Sequence, residues 1–476
     1  MDVIRRIRHN SFFSFLSSFT RLLTNFLFFI GIARFYGAEI FGSFTAAHTL
    51  SLLFLYLADF GLDLMLTTQV ARSKVNASDL FKKYFPIKLL FSVFALIGIW
   101  LLPLFATLSE LTQLLILILS FNIIFSALTN YFFALFKGIE QFNHETKITF
   151  YINLVLLSLL IVLGLLKVPI QYLALTFILT RSLGLILSAL KAYKLLTPNS
   201  FHFSFRGLGQ EWRTVSIFGL HLVFAYLFFQ LDTILLSLWK GDLEVGIYQS
   251  AFKIIAFVLV IPDVIVNALL PVLSNYHDHS REKWLIAAKL LNKTLFMLSI
   301  PIGLILFLYS DQIIHLLYVD SSFKQAIPIL KIFAIIIVIR FSVETFALML
   351  TTSLRQYTRM LIVIAATIIN FLINLYAIPK YGVIGAAYTS LLTNLFVGFS
   401  YLIATKFSIV IRFFDIKSIS FLCGAVTVGF LLVNIYPSNW FTGIIIITLA
   451  SSLFIYFIGF SSSERNLLFN RGIQNA

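Results

Sequence analysis

Three arginines lie near the centres of apolar segments that are long enough to cross a lipid bilayer: Arg21, Arg181 and Arg340. Lys253 lies in another such segment, closer to one end. A charged side chain at mid-bilayer costs about 2.5–3.5 kcal/mol, so it usually faces a cavity or a partner. Arginine suits phosphate because its planar guanidinium binds two oxygens at once and stays charged. These four residues therefore predict a cationic, water-filled cavity that can hold a phosphate-like anion.

Acidic residues in the same region offer a simpler explanation for some of these charges. We expect four of them to act as counter-ions or in ion coupling: Asp59, Asp63, Asp232 and Glu344. Glu344 follows Arg340 at the i, i+4 spacing, so these two could simply neutralise each other. Asp232 and Lys253 fall in the outer halves of adjacent segments, which predicts a salt bridge between them. At the level of sequence, both the cavity and the ion-pair interpretations stay open.

The composition indicates a membrane protein. Of the 476 residues, 60% are hydrophobic and only 12% are charged, and the mean hydropathy is +0.97. A soluble protein of this length needs more polar surface. The net charge of +15 is explained better by Lys and Arg in loops on one membrane face than by a nucleic-acid partner. The single cysteine, Cys423, excludes an intramolecular disulfide and a cysteine-based metal cluster, and we expect no metal ion and no cofactor.

Apolar segments of about 20 residues predict transmembrane helices, and the sequence contains fourteen of them. Their approximate centres are Leu22, Phe54, Ala95, Ile123, Leu157, Thr180, Phe228, Val258, Ile305, Ile339, Ala366, Leu395, Val426 and Ile447. The segments are too long and too apolar for the alternating strands of a membrane barrel. When the N-terminus is placed in the cytoplasm, loops rich and poor in Lys and Arg alternate along the whole chain. The sequence thus predicts a multi-pass protein of the inner (plasma) membrane with both termini cytoplasmic.

A short glycine motif occurs twice. Residues 36–50 read YGAEIFGSFTAAHTL and residues 240–254 read KGDLEVGIYQSAFKI, so two glycines recur at the same spacing. Six predicted helices separate the copies, which places both on one membrane face and indicates a parallel repeat. We therefore expect two six-helix lobes and two appended helices. The predicted divisions are 1–195 for the N-terminal lobe, 196–213 for a cytoplasmic linker, 214–410 for the C-terminal lobe, and 411–476 for helices 13 and 14 with a cytoplasmic tail.

Several stretches resemble a known membrane-protein family in their order and spacing. They are IARFYGAEIFGSFTAA (32–47), ADFGLD (58–63), FKGIEQF (136–142), LDTILLSLWKGDLEVGIYQSAFKI (231–254) and INLYAIPKYGVIGAAYTSLL (373–392). Over nearly its whole length the chain is similar to the polysaccharide transporters, the Wzx-type O-antigen flippases, of the multidrug/oligosaccharidyl-lipid/polysaccharide (MOP) flippase superfamily.

This resemblance implies an all-α polytopic fold and a flippase activity. The family moves undecaprenyl-diphosphate-linked oligosaccharide repeat units across the cytoplasmic membrane for the synthesis of O-antigen, capsule or exopolysaccharide. The expected partners are this lipid-linked oligosaccharide, membrane lipid, a polysaccharide polymerase with a chain-length regulator, and H+ or Na+ as a coupling ion.

Two prolines interrupt apolar runs, Pro262 and Pro301. Proline removes a backbone donor and bends a helix, and transporters have broken helices where substrates bind. We predict that both prolines are hinges for alternating access, with a static kink as the simple alternative.

The sequence lacks the motifs of several enzyme classes. It contains no G-x-x-x-x-G-K-[ST] loop for ATP and no HExxH, CxxC or GxSxG motif. A polysaccharide polymerase or ligase is expected to carry a large outer loop with catalytic carboxylates, whereas the predicted outer loops are short, so we predict that the chain is not an enzyme. Within transport, the alternatives are a lipid II flippase and a multidrug/cation antiporter, although antiporters usually have twelve helices and acidic cavities.

Overall fold

The computed structural model describes residues 2–72, 77–196, 212–405, 413, 416–435, 440–461 and 464, and the regular secondary structure in these ranges is helical. The α-helices are α1 (Asp2–Asp59), α2 (Leu62–Arg72), α3 (Ala77–Leu101), α4 (Glu110–Gly138), α5 (Phe142–Leu165), α6 (Ile170–Tyr193), α7 (Trp212–Trp239), α8 (Asp242–Val258), α9 (Val260–His279), α10 (Arg281–Leu308), α11 (Ser310–Leu317), α12 (Ala326–Thr352), α13 (Gln356–Thr405), α14 (Ile416–Ile435) and α15 (Trp440–Phe454). Most of the predicted linker, 197–211, and most of the predicted tail lie outside the described residues.

Eleven of the described helical stretches are long and apolar enough to cross a membrane. Two of them, α1 and α13, contain a pair of predicted segments each, because the helix continues through a kink at Gly37 or Gly382. The segment predicted around Val426 lies in α14, where the apolar part found is shorter, Ser420–Gly429. These helices confirm the predicted all-α polytopic membrane fold of about fourteen transmembrane helices.

By its internal packing the chain divides into two compact units, residues 1–250 with 374–383 and residues 251–373 with 384–476. The first unit has a core in which α3 and α4 meet through buried aromatic rings, with 4.8 Å between the centroids of Phe81 and Tyr131. In the second unit, α14 packs on α15 through the stacked rings of Phe421 and Phe454, 4.7 Å apart. The lobe boundaries predicted from the sequence remain predictions.

The first glycine of each repeat copy has a backbone conformation that other residues avoid. Gly37 has a φ of 79° and Gly241 has a φ of 94°, in the left-handed region that is costly for a residue with a Cβ. Gly37 turns the chain inside α1, and Gly241 turns it between α7 and α8. The repeat therefore encodes the same kind of turn twice.

The two predicted hinge prolines have different surroundings. Pro262 lies in the first turn of α9, just after the interruption at Leu259 that separates α8 from α9. Proline cannot donate the backbone hydrogen bond that would continue the helix through this point. Pro301 lies inside α10, which is continuous from Arg281 to Leu308. The helix is thus interrupted just before Pro262 but is continuous through Pro301. The hinge role of each proline remains a prediction.

Candidate functional site

Arg21 and Arg181, two of the arginines singled out in the sequence, line one cavity in the first unit. Its volume is about 50 Å³, and α1, α4, α5 and α6 contribute its walls. The other lining residues are Ser126, Thr129, Asn130, Phe133, Thr149, Ile152 and Gly184. Two guanidinium groups, three hydroxyls and one amide thus surround the cavity. This set is rich in hydrogen-bond donors and is suited to an anion.

Arg21 is held by two oxygens. Its Nη2 donates to Ser17 Oγ at 3.1 Å, one turn earlier in α1, and to Glu145 Oε1 in the first turn of α5. Lys137, in the last turn of α4, also binds Glu145, with 3.3 Å between Nζ and Oε1. The Glu145 side chain is only 3% exposed, whereas Arg21 is 38% and Lys137 36% exposed. One buried carboxylate therefore serves two cations, which leaves the group with a net positive charge.

Arg181 and Thr149 present polar groups to the cavity from two further helices. The guanidinium of Arg181 lies over the ring of Phe177, one turn earlier in α6, at 4.6 Å from the ring centroid. Such a cation–π contact stabilises the charge without a carboxylate. Thr149 on α5 is 1% exposed, and no group in the described part of the chain hydrogen-bonds its Oγ1. Buried hydroxyls normally have a hydrogen-bond partner. Thr149 Oγ1 lacks one among the described residues, so it is available to bond a ligand.

Asp59 and Asp63 form a buried triad with Lys88. The lysine Nζ lies 2.5 Å from Asp59 Oδ1 and 2.8 Å from Asp63 Oδ1, and the lysine side chain is 0% exposed. Asp59 Oδ1 also accepts the backbone N–H of Asp63 at 3.1 Å, which satisfies a donor in the first turn of α2. Between the two aspartates, Phe60 and Gly61 break the helix with φ values of 41° and 84°. The aspartates are therefore counter-ions of a buried lysine beside a helix break.

Arg340 lies in the second unit, on α12. Its Nη1 donates to Asn394 Oδ1 on α13 at 3.4 Å. Glu344, one turn later on α12, forms an ion pair with Arg359 near the start of α13, with 3.7 Å between Oε1 and Nη2. The pairing of Glu344 with Arg340 that the i, i+4 spacing suggests remains a prediction. The partner on α13 could not be recognised because it depends on how two helices pack.

Asp232 and Lys253 were predicted to form a salt bridge. Asp232 on α7 is 2% exposed and accepts hydrogen bonds from Tyr248 Oη at 2.7 Å and from Asn374 Nδ2 at 2.6 Å. Lys253 on α8 is half-buried and belongs to the second unit. The salt bridge remains a prediction, as does ion coupling at any of the four acidic residues. Among the residues that the structure describes, no group of three or more His, Cys, Asp and Glu could hold a metal ion.

The residue at the cavity that sequence reasoning missed is Glu145. It stands in KGIEQFNHETK, residues 137–147, which reads as a polar turn between two membrane helices. In the structure α5 begins at Phe142, so Glu145 lies in its first turn. An acid in the first turn of a helix was a usable signal, but its contact with Arg21, 124 residues away, was not.

Two family models match the sequence. The one described as "Polysaccharide biosynthesis protein" matches residues 7–277, more than half of the chain. The chain belongs to the polysaccharide biosynthesis protein family. A second model, MatE, matches residues 218–377, and the two matches place the chain in the MOP superfamily of membrane transporters and flippases. No curated relative matches the sequence.

Solved structures of this superfamily share the fold. The lipid II flippase MurJ, in an inward closed conformation, has a TM-score of 0.76 at 15% identity, covering 96% of this chain and 99% of MurJ. An inward-facing multidrug resistance MATE family transporter has a TM-score of 0.67 at 14% identity, covering 82% and 94%. A MOP superfamily transporter from Pyrococcus furiosus has a TM-score of 0.57 at 15% identity, covering 85% and 95%. Flippases and multidrug transporters thus have the same architecture, and the site must discriminate between them.

Proposed function

We propose that this protein translocates undecaprenyl-diphosphate-linked oligosaccharide repeat units across the inner membrane by alternating access, for synthesis of a cell-surface polysaccharide such as O-antigen, capsule or exopolysaccharide. The observation that carries the proposal is the cavity that Arg21 and Arg181 line together. A diphosphate that crosses hydrocarbon must exchange water for compensating cations and hydrogen-bond donors. The cavity offers both, within the helices of the first unit.

The size of the cavity suggests which part of the substrate it serves. A volume of about 50 Å³ is too small for an oligosaccharide, whereas the two guanidinium groups in the lining suit a compact anionic group. The arginines and the free hydroxyl of Thr149 then bind phosphate oxygens, while the saccharide and the lipid tail lie elsewhere. In this proposal Arg340 and Lys253 provide further positive charge along the substrate path.

A lipid II flippase is the second candidate, because the MurJ fold covers nearly all of the chain and lipid II is also a diphosphate-linked lipid. The match to the polysaccharide biosynthesis family over residues 7–277 favours an oligosaccharide repeat unit. A multidrug/cation antiporter is disfavoured because two guanidinium groups in one cavity repel an organic cation. A polymerase or ligase is the candidate from a different class.

Coupling to H+ or Na+ at Asp59, Asp63, Asp232 or Glu344 would supply the energy for transport. A polymerase with a chain-length regulator would consume the product on the outer face. We also propose that both termini lie in the cytoplasm, because the loops that this topology puts on the cytoplasmic face are the ones rich in Lys and Arg.

Deleting the gene and locating the accumulated lipid-linked oligosaccharide tests this function. The deletion is complemented with wild type, Arg21→Ala, Arg181→Ala and Arg340→Ala, and with Lys191→Ala as a matched control that removes an exposed cation outside the cavity. We expect the oligosaccharide to accumulate in the inner leaflet of the deletion strain. Hydrogen bonds to charged groups contribute about 1.5–3 kcal/mol, so the Arg21 and Arg181 variants should lose flipping by roughly 10- to 100-fold.

Each other outcome points to a different function. Accumulation of the peptidoglycan precursor indicates a lipid II flippase. Accumulation of single repeat units in the outer leaflet shows that translocation is intact and indicates a polymerase or ligase. If the amount and location of the lipid-linked oligosaccharide are normal but the deletion strain no longer exports a cationic dye, the protein is a multidrug antiporter.

A further inference from the structure

Glu145 binds the guanidinium group of Arg21, which the diphosphate of the proposed substrate would also bind. Its Oε1 accepts a hydrogen bond from Arg21 Nη2. The carboxylate is 3% exposed, but Arg21 is 38% exposed and lines the cavity. A diphosphate that enters the cavity therefore competes with Glu145 for Arg21.

Lys137 offers the displaced carboxylate a second partner. Its Nζ already lies 3.3 Å from the same oxygen, Glu145 Oε1. A buried carboxylate that loses its cation is strongly destabilised, but Glu145 can release Arg21 and remain neutralised by Lys137. Glu145 also lies in the first turn of α5, where the positive end of the helix dipole favours a negative charge.

Building on the proposed function, we propose that Glu145 is an internal counter-anion, which holds Arg21 while the cavity is empty and transfers to Lys137 when the substrate's diphosphate binds. Glu145 acts through Arg21 and does not touch the substrate, so it is a positioning residue. When the diphosphate leaves, the carboxylate returns to Arg21 and lowers the affinity for rebinding.

This exchange also provides a specificity filter. Every anionic ligand must displace a carboxylate from Arg21 before it can use both guanidinium groups. A diphosphate carries enough charge to do so, whereas the single phosphodiester of a bulk phospholipid exchanges one negative charge for another. The internal carboxylate thereby excludes the lipids that surround the protein in large excess.

Binding of inorganic pyrophosphate to the purified full-length protein, measured by calorimetry, tests the exchange. Wild type is compared with Glu145→Gln, Lys137→Gln and the double variant. Glu145→Gln should bind pyrophosphate about tenfold more tightly, within the usual range of coupling between sites, because no charged carboxylate has to be displaced from Arg21. If Glu145 only stabilises the fold, Glu145→Gln does not bind pyrophosphate more tightly than wild type. Lys137→Gln should bind pyrophosphate more weakly, because Glu145 can then no longer transfer to Lys137 and stays bound to Arg21.

The double variant separates the exchange from simple charge attraction. If Lys137 acts through Glu145, the Lys137→Gln change has little effect once Glu145→Gln is present. If Lys137 merely attracts the anion, it weakens binding equally in both backgrounds. Equal weakening, or an unchanged affinity in Glu145→Gln, overturns the proposal.

Lys137→Arg keeps the test decisive if Glu145→Gln does not fold, as judged by size-exclusion chromatography and the thermal midpoint. A guanidinium binds a carboxylate at two points, so Lys137→Arg should hold Glu145 more firmly, free Arg21 and tighten pyrophosphate binding. Opposite shifts for Lys137→Arg and Lys137→Gln support the exchange. An affinity of Lys137→Arg equal to that of wild type contradicts it.

The exchange and the proposed function fail in different ways. If wild type binds pyrophosphate and Arg181→Ala weakens this binding, but the Glu145 and Lys137 variants match wild type, the anion cavity stands and the exchange is wrong. If neither wild type nor Glu145→Gln binds pyrophosphate, the cavity is not an anion site and both proposals are wrong.

Discussion

Gly42 and Gly246, which hold equivalent positions in the two copies of the repeat, pack against each other where α1 crosses α8. A Cβ on Gly42 would lie 1.7 Å from the carbonyl oxygen of Asp242, and a Cβ on Gly246 would lie 2.0 Å from that of Ala38. Ala38 and Asp242 are themselves equivalent in the repeat, so the contact is symmetric. The second glycine of the motif therefore permits a close approach of two helices, as the first permits a turn.

Alanine at either glycine should separate these helices. Both clashes are with backbone atoms, which cannot move aside as a side chain could. We expect Gly42→Ala and Gly246→Ala each to destabilise the protein by about 1–3 kcal/mol, the usual cost of overpacking. The apparent melting temperature of the purified protein measures this. Gly424→Ala is the matched control, because a Cβ there meets nothing within 4 Å. A melting temperature of Gly42→Ala equal to that of Gly424→Ala would contradict the contact.

The triad of Lys88 with Asp59 and Asp63 predicts a large effect of removing the lysine. Lys88→Met keeps much of the side-chain length but leaves two carboxylates without this cation. Breaking a buried ion pair typically costs about 3–5 kcal/mol, so we expect a marked drop in melting temperature and in the yield of folded protein. Lys191→Met, at an exposed position in α6, should behave as wild type. Similar stability of the two variants would show that the triad is not needed for folding.

Glu464 predicts a loss of stability in acid. Burial by itself raises the pKa of Glu464, but the backbone N–H of Ser461 at 2.8 Å and the Lys293 ammonium at 3.0 Å lower that pKa below its usual value. Because the folded pKa is the lower one, the stabilisation is complete above the unfolded pKa of about 4.3 and is lost as the pH falls through the folded pKa.

Melting temperatures of wild type and Glu464→Gln over a range of pH check this prediction. Wild type should be the more stable near neutral pH, and the difference should shrink as the pH falls below about 4.3. A difference that is constant with pH would mean that the charge of Glu464 makes no contribution.

The membrane fold was predictable because it depends on local properties of the chain. Each spanning helix is an apolar run about as long as the bilayer is thick, and the runs around Leu22 and Phe54 are recognisable even though they form the single kinked helix α1. The turn at Gly37 and Gly241 was likewise encoded in a short motif. The contact between Gly42 and Gly246 was not, because it requires helices that are distant in sequence to cross at one point.

The candidate site was predictable only in part. An arginine is unusual in an apolar run, so Arg21 and Arg181 could each be recognised from the sequence. That both line one cavity depends on tertiary packing and could not be predicted. Glu145 and Arg359 were missed because each lies near a polar end of a helix, where a charge needs no special explanation.

The most direct test of the central claim is flipping of a fluorescent undecaprenyl-diphosphate-linked oligosaccharide by the purified protein in liposomes. The rate is compared among wild type, the Arg21→Ala/Arg181→Ala double variant and the Lys191→Ala control. We predict that wild type and the control flip the lipid, and that the double variant is slower by about 100-fold or more, because both cations that receive the diphosphate are gone. A double variant that flips at the wild-type rate would show that the cavity lined by Arg21 and Arg181 does not carry the diphosphate.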